Sequence, residues 1–470
     1  IATDLVRRDW LSLDLRAIAF FRVFLGVMAL LDLFSAAAGV EAFFSDAGIL
    51  PRAVQKLPLA SRWLAAFYGT GGTALQFAWL ALAAVCAVLV LLGKHTRPAL
   101  FWLWYLLASL HLRNPLAADR GAILLELMCF WGFWLPLEAR WSLAAREHPD
   151  WKQLPNTYRS SATVAIYLQI CMIYLFTALL KNGPAWVVDG NAALLACRSA
   201  QVSTAYSEWW AVHHPALLHW GGVLTQAGEA LLPLLLLSPI GHRRLRLLAV
   251  TGLVIFHLHN QLLFLLGFFP LMNAGFCLIL MPGREEGEES RAEQIVSPPG
   301  YRLSAWTDRW LALCLAFCFY CNWQSFPKPR LIHLDEPMRS FGKFFRLEQT
   351  WHLFSPSPPN DLWFRLLARH GCEELDLLRR DRQPSLVREV SPMASVPSHL
   401  WQMVFLNSVY KEDPVLSRSI VEYWQRHLGS EYQDFRYEVV TRDFDAAGRP
   451  LGPRVRRLWP PAGEVRRVQL

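Results

Sequence analysis

Runs of about 18 or more apolar residues with few charges recur along the first two thirds of the chain, each long enough to cross ~30 Å of hydrocarbon. Lipid offers no partners to backbone N–H and C=O groups, so such runs must satisfy them internally as helices. The fold class expected is therefore an all-α polytopic membrane bundle. Nine stretches qualify: 16–37, 74–92, 97–111, 121–137, 162–180, 216–240, 245–266, 268–281 and 305–323. As one helix, 245–281 would be about 55 Å long, nearly twice the hydrocarbon thickness. It must break, and "LGFFP", with Gly267 and Pro270, is where. The second piece is then short or re-entrant, which gives eight or nine crossings.

Beyond residue 323 the chain changes character. The charged, Gly/Pro-bounded stretch 282–300 reads as a linker inside a transmembrane domain of residues 1–323. Residues 324–470 read as a small C-terminal α+β extramembrane domain. In it "LWFRLLARHGCEELDLL" forms a hairpin about His370–Gly371, "FRYEVVTRDFDAAGRPLGPRVRRLW" supplies a second strand pair, and "SRSIVEYWQRHL" is a helix between them.

With 54% hydrophobic and 18% charged residues the chain is far more apolar than a soluble domain. Its net charge of +8 is carried by short loops and the tail, with no nucleic-acid module, so nucleic acid is not a partner. Lys94, Arg97, Arg140, Arg146, Arg243 and Arg244 fall in loops of one side, against Arg52, Arg62 and Arg198 on the other. The positive-inside rule then places the N-terminus in the cytoplasm and, with nine crossings, the tail outside, in the periplasm of a bacterial inner membrane. Arg7, Arg8 and "SAAAGV" imitate a signal peptide, but the run between them is too long and carries Arg22 and Asp32. Seven of nine cysteines lie in apolar runs; Cys197 and Cys372 do not, which leaves room for one bridge in an oxidising compartment. The spacing of Cys314, Cys318 and Cys321 imitates a cluster-binding loop but falls in a helical run, so no metal is expected.

Ionisable groups inside a span are costly, so each needs a partner or a task. "YLFTALLKNGPAWVVDG" ends an apolar run on Lys181, followed by Trp186. The plain reading is a lysine snorkelling to the headgroups; the sharper one is a base desolvated by Trp186. In "FHLHNQLL", His257 and Gln261 share a helical face, Asn260 lies beside it and His259 points elsewhere. These either stitch helices together or line a polar head-group site. Arg113, Asn114, Asp119, Arg120 and Glu126 surround the start of a span as charge-paired anchors. Glu229, four residues after Thr225, is expected to pair with a histidine or arginine of a neighbouring span.

In this order, "FFRVFLGVMALLDL", "RNPLAADRGAILLELMCFWGFWLPL", "LLKNGPAWVVDG", "HLHNQLLF" and "QTWHLFSPSP" resemble the membrane domain shared by vitamin K-dependent gamma-glutamyl carboxylase and its bacterial relatives, the HTTM (horizontally transferred transmembrane) family. The resemblance implies a lysine that deprotonates vitamin K hydroquinone. Oxygen then yields the epoxide through a strong base, which removes a proton from a peptide glutamate so that CO2 can add. It implies Lys181 as base and His257 and Asn260 as orienting residues, with Arg113, Asn114, Trp186, Glu229 and Gln261 around the quinol. The cofactor implied is reduced vitamin K or another quinol, with O2 and CO2, and the partners are the bilayer, the quinone and a peptide or protein glutamate. One departure is that Asn114 is followed by Pro115 where the active carboxylase has a histidine. The alternative function is a non-catalytic quinone- or lipid-binding or transport protein. The tail is expected to cap the face bearing Lys181, with Trp351, Phe354 and Trp363 as apolar anchors at the membrane interface or on the loop after Lys181.

Overall fold

The computed structural model describes residues 10–55, 59–283, 301–326, 336–355, 360–445, 449–460 and 466–467. Most of the linker at 282–300 lies outside them.

A helix stands at each of the nine expected stretches: α1 (Leu15–Ala38), α2 (Thr73–Leu92), α3 (Thr96–Arg113), α4 (Arg120–Gly132), then, after a short α5 (Leu143–Glu147), α6 (Ser161–Leu180). Three short helices, α7 (Pro184–Val187), α8 (Ala192–Arg198) and α9 (Ala205–His213), precede α10 (Pro215–Leu236), α11 (His242–Leu263), α12 (Phe269–Leu278) and α13 (Ala305–Trp323). Of these, α1, α2 and α6 are long and apolar enough to cross a membrane, fewer than the eight or nine crossings expected. The reasons differ. α10, α11 and α13 have the length, but carry polar residues such as Glu229, Arg243 and Asp308. α4 and α12 reach only about 20 Å and 15 Å at ~1.5 Å per residue. Large apolar side chains on the outside of several helices, among them Phe34, Val85, Leu224, Ile255 and Leu313, are exposed. A soluble protein would not leave so much apolar surface bare; it suits lipid.

Local chemistry sets the helix starts. β1 (Leu13–Asp14) pairs antiparallel with β2 (Thr157–Tyr158), which ties the starts of α1 and α6 to one end of the bundle. Asp14 then caps α1 through the Arg16 N–H at 2.7 Å, and Ser160 and Thr163 cap α6 reciprocally. The break expected at Gly267 is present. There φ is +59°, and a Cβ would meet the His399 ring at 2.6 Å, so the turn favours glycine in backbone and in space alike.

The tail begins with α14 (Glu336–Phe345) and carries an antiparallel sheet of β3 (Asn360–His370), β4 (Glu373–Asp376), β5 (Tyr432–Asp443), β6 (Arg454–Trp459) and β7 (Arg466–Arg467), in the order β4-β3-β5-β6-β7. The hairpin at His370–Gly371 is β3–β4, and the second strand pair is β5–β6. α16 (Pro414–Leu428) is the helix expected between them. α15 (His399–Tyr410) was not anticipated, because its side chains serve the bundle as much as the sheet: Gln402 Nε2 donates to the carbonyls of Gln201 and Leu265, and Asn407 Nδ2 to that of Leu116. All nine cysteines are free, so Cys197, which is buried, and Cys372, which is exposed, are not bridged.

Candidate active site

Lys181 follows the last residue of α6 but does not reach water. Its side chain is 2% exposed and its Nζ donates to Glu229 Oε2, itself buried. Glu229 stands fourteen residues into α10, about 21 Å along its axis at ~1.5 Å per residue, so the lysine lies well below the end of that helix. The snorkelling reading therefore fails, and the partner of Glu229 is a lysine rather than the histidine or arginine expected. The covering layer is local. Trp186 on α7 presents its ring 5.0 Å from Nζ, and its Nε1 donates to the Phe354 carbonyl at 2.9 Å. Phe354 packs on Phe264, Ser355 Oγ donates to the Leu180 carbonyl, and Gln226 Nε2 donates to the Lys181 carbonyl at 2.9 Å.

Lys181, Trp186, Glu229, His257 and Asn260 line one cavity of about 580 Å³, mostly apolar, of the size that holds a small-molecule ligand. Helix geometry explains which residues of "FHLHNQLL" take part. At roughly 100° per residue, Phe256, Asn260 and Leu263 form the centre of the lining face, with His257 and His259 at its two edges. His259 thus lines the cavity, contrary to expectation. Gln261 lies past His257, and its Nε2 instead donates to the Gly267 carbonyl at 3.2 Å, holding the break.

His257 Nε2 is 2.6 Å from Tyr174 OH, which is also 3.0 Å from Cys277 Sγ, while His257 Nδ1 is buried without a partner among the described residues. An imidazole nitrogen left unpaired in a dry interior is costly, and this one belongs to a residue of the cavity wall. Tyr174 was missed in the sequence although it opens the stretch that ends on Lys181. Seven residues before the lysine, it lies two helical turns away on the same face, and that spacing was the available signal.

Arg113 and Asn114 do not join this group. The Arg113 guanidinium donates to the Leu50 and Ser45 carbonyls and pairs with Asp46 at 3.3 Å; Asn114 Nδ2 donates to the Phe43 carbonyl at 2.9 Å. Both hold the segment after α1. Glu126 pairs with His111 and Arg346, as an anchor should. Among the described residues no group of three or more His, Cys, Asp or Glu side chains is placed to hold a metal ion.

The tail closes the cavity. Trp351, fully buried, stacks on Phe269, accepts a bond from Thr177 Oγ1 at its carbonyl, and donates Nε1 to Gln349, whose amide pairs with that of Gln169 on α6. Trp351 and Phe354 thus anchor to the bundle and the loop after Lys181, while Trp363 packs with Ala200 and Val440. His399 also lines the cavity, and its protonation state follows from its neighbours. Both N–H groups of Gln402 are given to carbonyls, so its Oε1 accepts from His399 Nδ1 at 2.9 Å. Nε2, 2.8 Å from Asp119 Oδ2, then carries the second proton of an imidazolium. Burial alone would lower the His399 pKa, and the hydrogen bond and charge of Asp119 more than reverse this, raising it above 6.5. This contribution to stability is fully present below pH 6.5 and is lost as pH rises through the raised folded value. Thermal stability is accordingly expected to fall as pH rises above 6.5 through the raised folded value. His399→Gln should flatten that slope in a melting series across pH.

Fold and site together define a membrane protein whose helical bundle encloses a largely apolar cavity with a buried lysine–glutamate pair. Residues 11–282, more than half of the chain, match the HTTM domain, and the chain belongs to the HTTM family, whose domain is found in vitamin K-dependent carboxylase-like membrane proteins. No curated protein and no solved structure matches it.

Proposed function

We propose that the chain is a quinol-dependent oxygenase or carboxylase of the inner membrane, with its N-terminus cytoplasmic and its tail periplasmic. The observation that carries this reading is the placement of Lys181, buried and paired with Glu229, in a 580 Å³ apolar cavity that His257 and Asn260 also line. A flat, apolar ring system with a hydroxyl edge fits such a cavity by volume and by the chemistry of the donor set. Reduced vitamin K or a related quinol, when bound, supplies the oxidation by O2 that yields an epoxide and the strong base needed to take a proton from carbon. The residues do the rest. Lys181 Nζ first passes a proton to the Glu229 carboxylate it contacts, a transfer that burial of the pair favours, and the neutral amine then takes the proton of the quinol hydroxyl, which leaves an ammonium beside the quinolate and a protonated Glu229. His257, held by Tyr174, and Asn260 orient the quinol oxygens, while Trp186, Trp351 and Phe354 exclude water. A glutamate side chain of a peptide is the acceptor for CO2 in this scheme.

Retention of the quinone without chemistry is the second reading. Asn114–Pro115 favours it, since Asn114 bonds to the Phe43 carbonyl away from the cavity. Mass spectrometry of the purified protein is expected to find a co-extracted quinone. After reduction, oxygen and bicarbonate should convert it to epoxide. A retained quinone that never turns over would establish the second reading, and the absence of any quinone binding would remove both.

A further inference from the structure

The cavity wall carries, among the described residues, one cation that has no direct partner. Among the described residues, Lys181 is matched by Glu229 and His399 by Asp119, but Arg120, which also lines the cavity, makes no hydrogen bond or ion pair. Asp119, its neighbour in sequence, has both oxygens engaged, Oδ1 by the Ala122 N–H at 3.0 Å and Oδ2 by His399. Arginine keeps its charge, so the guanidinium cannot escape by losing a proton. Asp119 favours the Arg120 charge only through space, and a part-buried cation beside an apolar cavity with no direct partner is an unfavourable arrangement that a bound anion relieves.

Arg120 also faces a second space. A polar vestibule of about 500 Å³ is lined by Arg120, His352, Thr350, Gln324, Ser325 and Glu348, and Arg120 and His352 line both it and the lysine cavity. His352 and Glu348 are exposed, so the vestibule reaches the surface beside the tail. His352 adds no second cation: burial, and then the charge of Arg120, lowers its pKa below 6.5, which leaves a neutral imidazole able to hydrogen bond. Glu348 repels an anion from the outer part of the vestibule, which leaves the inner end, at Arg120, as the favourable position. Arg120 is moreover the first residue of α4, where the unpaired N–H groups of the helix add positive potential.

We propose that Arg120 anchors the carboxylate of a water-borne co-substrate at the boundary between the polar vestibule and the lysine cavity, so that the apolar and the anionic reactants enter by different routes. This rests on the quinol reading above for what the anion would react with, but the site itself stands on the unpaired guanidinium and the two spaces that meet at it. A carboxylate matches the two parallel donors of a guanidinium. The vestibule volume suits a small free acid or a single acidic side chain of a peptide, which share this chemistry.

The test measures binding of [14C]butyrate to the immobilised full-length protein in detergent, with butyramide as neutral competitor. A blocked tripeptide bearing one side-chain carboxylate, and its amide counterpart, form a second pair of competitors. Butyrate should bind saturably, resist butyramide, and lose affinity about tenfold or more in Arg120→Gln, while Arg120→Lys retains part of it. Stronger competition by the acidic tripeptide than by free butyrate assigns the site to a side chain, and the reverse to a free acid. Equal binding by wild type and Arg120→Gln, or no saturable binding by wild type, would overturn the proposal, since a guanidinium merely solvated by vestibule water predicts both. Retention of menaquinone is measured in parallel and should be the same in wild type and Arg120→Gln. If quinone binding is absent but butyrate binding depends on Arg120, the quinol reading fails and the anion site stands.

Discussion

Lys181→Ala is expected to abolish epoxide formation from a reduced vitamin K. A positioned proton acceptor is worth about 10²- to 10⁴-fold in rate, and among the described residues no other lysine lines the cavity. The simple substitution has a second effect, because it strands the Glu229 carboxylate in a buried position. Loss of activity alone would then be ambiguous between lost chemistry and lost fold. Lys181→Met combined with Glu229→Gln removes both charges and keeps the volume. Exchanging a buried ion pair for uncharged groups is often close to neutral for stability. The double variant should therefore melt near the wild type, retain the quinone and produce no epoxide. Epoxide formation at the wild-type rate by a folded double variant would show that Lys181 is not the base.

Glu229→Ala should be the most destabilising single change in the site, by about 3–5 kcal/mol, because it leaves the Lys181 cation buried without a partner. Denaturant unfolding of the two single variants and the double variant measures the coupling directly. If the pair is as dry as its burial indicates, the double variant recovers most of the stability that either single variant loses. Additive losses would mean that water or another group already stabilises each charge, and the enclosure of the pair by Trp186 and the tail would then be wrong.

The enclosure bears on how the tail can be studied. Removing residues 330–470 would take with it Trp351, the Gln349 amide that pairs with Gln169, and Arg346, which is paired with Glu126 on α4. These are buried polar groups whose loss leaves partners unsatisfied inside the bundle. Truncation therefore tests stability before it tests the contribution of the cap to catalysis, and single changes such as Phe354→Ala are the cleaner probe of water exclusion.

Much of the bundle was legible in the sequence because its signal is local. A span announces itself by length and apolarity, a break by Gly267 and Pro270, and a hairpin by His370–Gly371. The expected bounds of α2, α6 and α13 lie within one residue of those in the structure. The count of crossings was less secure because α4 and α12 are short and several other helices mix apolar and polar faces. Protein neighbours, rather than lipid, receive many of those polar groups.

By itself the sequence determined that this is a membrane-embedded helical bundle with an α+β tail, and that Lys181, Glu229, His257 and Asn260 are polar residues in costly places. Their order along the chain was also enough to suggest the family. Only the tertiary structure decided which of them meet. Lys181 and Glu229 are 48 residues apart, Tyr174 and His257 83, and Trp186 and the Phe354 carbonyl 168. No local periodicity links positions so distant, and a buried charge specifies that it needs a partner without specifying which. Helix rotation made the choice. It turned Gln261 out of the cavity and His259 into its edge, set Arg113 and Asn114 to bind backbone elsewhere, and left Arg120 facing two spaces without a direct hydrogen-bond or ion-pair partner among the described residues.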